Sequence, residues 1–186
     1  MNILVACEFS GRVRDAFKAK GHNAISCDLL DTEVEGNHIK GDVRDILYDG
    51  WDMMIAHPPC RYLAVSGARW FKGREKEQEE ALEFVSTLLN APIDKICLEN
   101  PVSIISTRIR KPDQIIQPWQ FGHEETKTTC LWLKNLPPLM STQEMEVRNR
   151  NLTPSGQNKL GPSPDRWKER SRTYPGIASA MASQWG

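Results

Sequence analysis

The stretch Met53-Met54-Ile55-Ala56-His57-Pro58-Pro59-Cys60 decides the fold prediction, because it shows where a buried strand ends. An apolar run of this kind is typical of a strand in the interior of a sheet. The two prolines lack a backbone N–H, so they cannot continue the strand ladder, and they fix the backbone beyond it. Cys60 is therefore expected at the carboxyl end of a strand, on a rigid backbone that aims its thiol out of the sheet. We interpret Cys60 as a nucleophile.

A second apolar run ends in a similar way further along the chain. Residues 93–98 form a predicted strand, and Glu99-Asn100-Pro101 follow it directly. The carboxyl ends of parallel strands lie at one edge of a sheet, so Glu99 and Cys60 are expected to face one cleft. A thiol beside a carboxylic acid is suited to nucleophilic chemistry that also needs a proton transfer.

Strands and helices alternate on both sides of these two motifs. The predicted strands span residues 2–7, 23–28, 38–41, 51–56, 93–98, 115–121 and 128–133. Helices are predicted between Ser10, as the N-cap, and Gly21, over residues 77–90, and over residues 176–185. This alternation predicts an α/β fold with a mostly parallel sheet and helices on both faces.

A polar side chain follows each of the first five predicted strands. These side chains belong to Glu8, Asp28, Asp42, His57 and Glu99. Ligands of open α/β sheets bind beyond the carboxyl ends of the strands, so this set predicts a binding site at that edge.

The composition is that of one ordinary domain. The chain has 186 residues and 21.2 kDa, so we predict a single domain over residues 1–186. Its 24 basic and 24 acidic residues cancel, and its mean hydropathy of −0.51 indicates a cytoplasmic protein with no membrane segment and no signal peptide. Five cysteines without a C-x-x-C pair predict neither a disulfide framework nor a metal site. The sequence sets no oligomeric state.

Positive charge is concentrated in two stretches. Residues 61–74 contain four basic side chains and no acidic one, with Tyr62, Trp70 and Phe71 among them. Residues 148–172 contain seven basic and two acidic side chains, within a segment, 137–172, that we predict to be an extended loop. A basic loop beside a nucleophile favours a substrate that carries phosphate.

These motifs resemble those of the cytosine C5 DNA methyltransferases, particularly the compact methylase-like proteins often encoded by bacteriophages. Pro59-Cys60 is similar to the nucleophile motif of that family, and Glu99-Asn100-Pro101 to its Glu-Asn motif. Glu8-Phe9-Ser10-Gly11 is similar to the first cofactor motif, and Gly41-Asp42-Val43 to a later one. The resemblance continues through residues 121–129 and 172–178, and it covers nearly the whole chain in the family's motif order.

The resemblance implies a Rossmann-like class I methyltransferase fold that uses S-adenosylmethionine and acts on DNA. It places Asp28 at the ribose, Asp42 at the adenine amino group and Lys127 where the family has an arginine. The implied cofactor contacts are Glu8, Phe9, Ser10, Gly11, Asp28, Leu29, Asp42, Val43, His57 and Pro58. The implied catalytic residues are Cys60, Glu99 and Lys127, and the implied substrate contacts are Pro59, Arg61, Arg69 and Asn100.

The chemistry implied by this resemblance begins with the thiolate of Cys60. Its addition to C6 of cytosine makes C5 nucleophilic enough to accept a methyl group. Nearby Arg61 or a helix terminus is expected to lower the pKa of Cys60. Glu99 is expected to hydrogen-bond or protonate N3, a role that suits a buried carboxyl group with a raised pKa.

The sequence departs from the family at three places. Arg12, Val13 and Arg14 follow Gly11 where the family has glycines, and Arg61 follows Cys60 where the family has glutamine. The long target-recognition domain of the family is also missing, and the basic loop 137–172 stands in its place. These departures leave two alternatives open: methylation of a free cytosine nucleotide, or a catalytically silent protein of this fold that binds nucleic acid.

Two further activities fit the sequence less well. An amino-methyltransferase would need an aromatic residue where Cys60 stands, and a thiol hydrolase would need a histidine placed to activate that thiol. Several residues also have ordinary structural interpretations, namely helix capping for Asp28, a turn for Asp42 and edge protection for Lys127. His57 is interpreted as a hydrogen-bonded structural residue rather than a base.

Overall fold

A seven-stranded sheet forms the centre of the protein in a computed structural model, which describes residues 1–147, 161 and 163–186. The strand order is β3-β2-β1-β4-β5-β7-β6. The strands are β1 Asn2–Ala6, β2 Asn23–Asp28, β3 His38–Lys40, β4 Met53–Ala56, β5 Lys95–Pro101, β6 Gln114–Ile116 and β7 Thr129–Lys134. Strands β1 to β5 run parallel to one another, and β7 runs antiparallel to both β5 and β6. The predicted mostly parallel sheet is confirmed.

Helices cover both faces of this sheet. They are α1 Arg12–Ala19, α2 Glu75–Leu89, α3 Ile105–Arg108, α4 Arg166–Ser171 and α5 Pro175–Trp185. Short 3-10 turns span Val43–Ile46, Val65–Trp70 and Pro118–Gln120.

Two apolar cores follow from the alternation of side chains along the central strands. On one face, Ile3 and Val5 of β1 pack with residues of α1 and α5, such as Phe17. On the other face, Leu4 packs with residues of α2, such as Val85. Each fully buried aliphatic side chain contributes roughly 1.5–3 kcal/mol, so the central strands are the most strongly held part of the fold. Their carboxyl ends are therefore fixed positions for functional groups.

Three local predictions are corrected by the structure. The strand predicted over residues 115–121 ends at Ile116, because Pro118 cannot donate to the ladder and begins a 3-10 turn. Ser10 is not the N-cap of α1, since Gly11 occupies that position. The extended loop predicted over residues 137–172 is wrong at its end, where α4 forms. Residues 148–160 and 162 of that prediction lie outside the described residues.

In the part of the chain that the structure describes, no helix combines the length and the apolar character needed to cross a membrane. The same residues contain no cluster of three or more histidine, cysteine or acidic side chains able to hold a metal ion.

Candidate active site

His57 and Glu99 meet at the carboxyl ends of β4 and β5. The parallel register pairs Ala56 with Leu98, so the next residue of each strand also lies side by side. The backbone N–H of His57 donates to the Ala6 carbonyl at 2.9 Å, which extends the ladder one residue beyond β4. The side chains then join through a 2.9 Å hydrogen bond between Nδ1 of His57 and Oε2 of Glu99. The interpretation of His57 as a hydrogen-bonded residue is confirmed.

The loop that carries Cys60 is bound to the segment after β5. The side-chain amide of Asn100 donates to the Pro58 carbonyl at 2.9 Å, and Asn100 itself is buried. Further along, the Val65 N–H donates to the Val102 carbonyl at 3.0 Å. The Cys60 carbonyl accepts the N–H groups of residues 63 and 64, which makes a tight turn at the thiol. Asn100, implied as a substrate contact, is thus an anchor of the Cys60 loop.

Cys60 differs from the other cysteines in its exposure. Cys27, Cys97 and Cys130 are buried, and Cys7 is partly buried. The Cys60 residue is exposed, on the loop that follows β4. An exposed residue on an anchored loop is open to a substrate, as a nucleophile must be.

The expected lowering of the pKa of Cys60 is not found. Desolvation by the surrounding protein, followed by the negative charge of Glu99, raises the pKa of this thiol. Lys127 and Arg170 oppose that rise with their positive charges. Arg61, which was expected to lower this pKa, instead lies over the Tyr62 ring, 5.4 Å from its centroid. The thiol is therefore protonated at rest near neutral pH, and it must lose its proton before it can attack.

The expected raised pKa of Glu99 is also wrong. Burial raises the pKa of this carboxyl group, but the hydrogen bond and charge of His57, together with the charge of Lys127, outweigh burial. The net effect is a lowered pKa, so Glu99 is ionised near neutral pH. A carboxylate in this state accepts hydrogen bonds but has no proton of its own to give.

Lys127 reaches the same cleft from the loop before β7. Gln117 holds its backbone, because the Lys127 N–H donates to the Gln117 side-chain carbonyl at 2.9 Å. Its ammonium donates to the Arg170 carbonyl at 2.9 Å and lies 5.8 Å from the centroid of the Tyr174 ring. Since its charge acts on both Cys60 and Glu99, the structure brings these three predicted residues together.

The segment Glu8-Phe9-Ser10-Gly11, between β1 and α1, forms a loop held by hydrogen bonds within itself and to α1. Glu8 is buried, and its carboxylate accepts the N–H groups of Val13 at 2.7 Å and Arg14 at 3.1 Å, with the Ser10 hydroxyl at 3.2 Å. Glu8 thus caps α1 in place of Ser10. Gly11 has a φ of 71°, and a Cβ atom there would lie 2.5 Å from side-chain atoms of Arg14 and Val34. This position therefore requires glycine.

Arg14 has a structural role that sequence reasoning missed. Its side chain is fully buried, and its guanidinium donates to the hydroxyls of Ser26 and Thr32, both at 3.2 Å. The same group donates to the Glu35 carbonyl at 3.3 Å and pairs with Asp15 at 2.8 Å. Arg14 therefore ties the loop after β2 to α1. A signal was present in the sequence, because an arginine stands next to the apolar stripe of an otherwise amphipathic helix.

The two predicted aspartates have different surroundings. Asp28 is partly buried at the end of β2, and it accepts the Leu30 N–H at 2.9 Å while Leu29 points to solvent. Burial raises the pKa of Asp28, and the charge of His38 is among the effects that oppose the rise.

Asp42 serves the structural role considered for it. Its carboxylate accepts the Arg44 N–H at 2.9 Å, caps the 3-10 turn Val43–Ile46 and pairs with the Arg44 guanidinium. Val43, implied as a cofactor contact, is buried in the core. Asp42 is thus a turn residue whose charge is already matched.

The segment around α4 covers the first cofactor motif from outside. The rings of Phe9 and Trp167 lie 6.1 Å apart. Arg172 makes two hydrogen bonds to the Glu33 carboxylate, at 2.7 and 2.8 Å. Sequence reasoning missed both contacts because they join positions more than 130 residues apart.

The basic loop after Cys60 exposes aromatic rings beside positive charges. Arg69 lies over the Trp70 ring, 5.1 Å from its centroid, and Trp70 is 69% exposed. Both residues belong to the 3-10 turn Val65–Trp70, so the structure places Arg61 and Arg69 on one segment next to the thiol.

Comparison with known proteins supports the fold. No protein-family model matches this chain, and no curated protein matches it. A solved structure from an Escherichia coli prophage, provisionally described as a DNA modification methyltransferase, is similar with a TM-score of 0.50 and 13% sequence identity. The alignment covers 78% of this chain and 52% of that one, so the chain spans about half the length of the structure it matches. At this identity the likeness concerns the fold.

Proposed function

We propose that this protein is a methyltransferase that uses S-adenosylmethionine and methylates C5 of cytosine in DNA through a covalent adduct with Cys60. The observation that carries the proposal is that Cys60 and Glu99 follow two neighbouring parallel strands, with the Cys60 loop bonded to Asn100 at 2.9 Å. The charge of Lys127 acts on both groups. The DNA modification activity provisionally assigned to the similar prophage structure agrees with this proposal. We assign residues 1–186 to a single methyltransferase domain of the class I type, an assignment supported by the strand order and the antiparallel β7.

The residues at the ends of β1 and β2 fit a cofactor of this kind in part. Asp28 is a partly buried carboxylate, and carboxylates at this position of α/β folds accept hydrogen bonds from ribose hydroxyls. Glu8, Ser10 and Gly11 shape the loop between β1 and α1 rather than offering free groups. Asp42 would have to release Arg44 before it could hold an adenine amino group. S-adenosylmethionine, when bound, supplies an electrophilic methyl group.

The other steps of the proposed reaction are carried out by residues of this chain. Once the Cys60 thiol has lost its proton to water, the thiolate forms a bond to C6 of the cytosine ring, and the ring electrons move toward N3. After C5 has taken the methyl group, loss of the C5 proton to a base breaks the S–C6 bond and releases the thiolate. Glu99 orients the N3 edge of the base, and Lys127 favours both the thiolate and the carboxylate through its positive charge. The hydrogen bonds between the Cys60 loop and residues 100–104 keep the thiol in place.

DNA as the substrate is supported by the basic loop next to the thiol. Arg61 and Arg69 can contact phosphates, while Tyr62 and Trp70 offer faces on which bases stack. A cytosine in a duplex must leave the base stack to reach Cys60, and an exposed aromatic ring beside the cleft suits that event.

The proposal is tested by methyl transfer from labelled S-adenosylmethionine to unmodified DNA. Wild type, Cys60→Ser and the matched control Cys97→Ala, which removes a buried thiol, are compared, and the products are digested to nucleosides and identified by mass. We expect 5-methylcytosine from wild type and from Cys97→Ala, but none from Cys60→Ser.

Other products would redirect the assignment. Methylation of free cytosine nucleotides but not of DNA would identify a nucleotide methylase. N4-methylcytosine or N6-methyladenine would identify an amino-methyltransferase. The absence of both transfer and cofactor binding would overturn the enzymatic proposal in favour of a nucleic-acid-binding protein.

A further inference from the structure

The ammonium group of Lys127 is held by residues from the far end of the chain. β7 begins at Thr129, which pairs with Pro101 at the end of β5, so Lys127 lies just beyond the sheet edge to which the Cys60 loop is bound. Its ammonium donates to the Arg170 carbonyl at 2.9 Å. Lysine carries a point charge on a flexible stem, so its charge acts at one place only when the ammonium itself is held.

The ring of Tyr174 forms a second contact of this ammonium. Nζ of Lys127 lies 5.8 Å from the ring centroid, a distance at which an aromatic face attracts a cation. Tyr174 is partly buried and packs against the core, and the ring of His123 lies 4.9 Å from it. Burial and the carboxylate of Glu125 raise the pKa of Tyr174, so the ring stays neutral. A fixed ring and a fixed carbonyl thus determine the position of the positive charge.

Residues 170–176, which we call the C-terminal clasp, are bound to the rest of the protein. The contacts that hold the clasp are Arg172 to Glu33 at 2.7 Å, Arg12 to the Thr173 carbonyl at 2.9 Å, and the Gly176 N–H to Nε2 of His123 at 3.0 Å. The first two join it to segments near the N-terminus, and the third joins it to the loop before β7. The clasp is therefore a fixed support for the lysine.

Two positive charges reach the thiol through the clasp. Desolvation and Glu99 raise the pKa of Cys60, and the charges of Lys127 and Arg170 oppose that rise. Arg170 belongs to the clasp, and Lys127 is held by it. The reactivity of the thiol is thus linked to a segment more than 100 residues away in the sequence.

We propose that Tyr174, together with the Arg170 carbonyl, positions the Lys127 ammonium where its charge promotes the reactivity of Cys60. The inference rests on the proposed function, since it takes Cys60 as the nucleophile, and it deepens that function. Tyr174 acts through Lys127, so it is a positioning residue rather than a catalytic one. Without the ring, the ammonium gains freedom to move into solvent, where water and salt screen its charge.

The test measures alkylation of Cys60 by iodoacetamide across neutral and mildly alkaline pH, with peptide mass spectrometry to locate the modified thiol. The variants are Tyr174→Leu, Tyr174→Phe, Lys127→Met and the double variant that combines Tyr174→Leu with Lys127→Met. The matched control is Tyr48→Leu, because Tyr48 is 79% exposed.

We expect Tyr174→Leu to slow alkylation about twofold near neutral pH and to move the pH profile upward by about 0.3 pH unit, a size suited to one partly screened charge. Tyr174→Phe keeps the ring and should keep the wild-type profile, as should Tyr48→Leu. A wild-type profile in Tyr174→Leu would overturn the proposal.

The double variant distinguishes positioning from general damage. If Tyr174 acts through Lys127, the double variant should be no slower than Lys127→Met, for which we expect about a threefold slowing. Independent effects would instead multiply to about sixfold, and that result would overturn the proposal.

A measurement on wild type decides if Tyr174→Leu does not fold. Lysines are labelled as ¹³C-dimethyl derivatives, which keep their charge, and the NMR signal that is lost in Lys127→Met belongs to Lys127. A ring-current shift of this signal away from those of the other lysines supports the proposal. A signal among those of the exposed lysines overturns it.

Alkylation needs neither DNA nor cofactor, so this inference and the proposed function can fail separately. If the variants behave as expected but wild type methylates no cytosine, the proposed function fails and the role of Tyr174 stands. If wild type produces 5-methylcytosine and Tyr174→Leu is alkylated like wild type, only the present inference fails.

Discussion

The two halves of the sheet edge use their polar residues differently. Near the ends of β1 and β2, Glu8 and the α1 residue Arg14 are buried with their polar atoms engaged inside the protein. At the ends of β4 and β5, Cys60 is exposed and Nε2 of His57 is buried without a partner among the described residues. The first half therefore builds loops, and the second half retains groups that can react. The unpartnered Nε2 of His57 and the exposed Cys60 distinguish the second half from the first.

The largest loss of activity is expected from Glu99→Gln, which tests the groups at the ends of β4 and β5. Glutamine keeps an oxygen to accept from His57 but lacks the carboxylate that would meet the N3 edge of the base, so methyl transfer should fall about 1000-fold, within the range for acid–base catalysis. Single-turnover transfer to DNA measures the change. Glu80→Gln, exposed on α2, should keep the wild-type rate. Loss of activity in both variants would contradict the comparison.

Arg14→Leu tests the buried hydrogen bonds near the ends of β1 and β2. It should change the free energy of unfolding rather than the rate of methyl transfer. Removing the guanidinium leaves Ser26, Thr32 and buried carbonyl groups without their donor, which costs about 3 kcal/mol. The midpoint of urea unfolding measures the loss, with Lys18→Leu on the exposed side of α1 as its control. Equal midpoints for the two variants would show that the buried network contributes little.

Lys127→Met tests whether the charge of Lys127 controls the reactivity of Cys60. Because the Lys127 charge lowers the pKa of Cys60, its removal should raise that pKa further and leave less thiolate. Alkylation of Cys60 by iodoacetamide near neutral pH should slow about threefold, a size suited to one partly screened charge. Peptide mass spectrometry locates the modified thiol. Lys72→Met is the control, and a slowing there of the same size would refute a specific role for Lys127.

The smallest effect is expected from Asp28→Asn, which separates binding from stability. Burial raises the pKa of Asp28, so the ionised form of this group destabilises the fold. The free energy of unfolding of the wild type therefore falls as pH rises from the ordinary aspartate range through the raised pKa. Asparagine retains the acceptor for Leu30 and should stabilise the protein at neutral pH by less than about 1 kcal/mol. The gain should vanish in acid. Calorimetry should show weaker cofactor binding, and unchanged binding would remove Asp28 from the site.

Local patterns predicted most of the sheet and the pairing of the two central motifs. Apolar runs marked β1 to β5, and the motifs after β4 and β5 placed Cys60 and Glu99 at one edge. Local patterns failed where distant residues decide the outcome. The pKa directions of Cys60 and Glu99 were mispredicted because they depend on the desolvation of the thiol and on the contact of Glu99 with His57, neither of which is visible in the local sequence. The short helix α4 was missed because contacts such as Phe9–Trp167, rather than periodicity, hold it.

The hydrogen bonds between the Cys60 loop and the segment after β5 determine which partner must move when a substrate binds. A loop joined to its neighbour at Pro58, Leu63 and Val65 has little freedom to swing toward a substrate. Under the proposed function, the nucleic acid is then the partner that changes conformation, and the Cys60 loop already has its reactive position. The turnover rate would be limited by the opening of base pairs, so mismatched or single-stranded cytosines would be modified faster than paired ones.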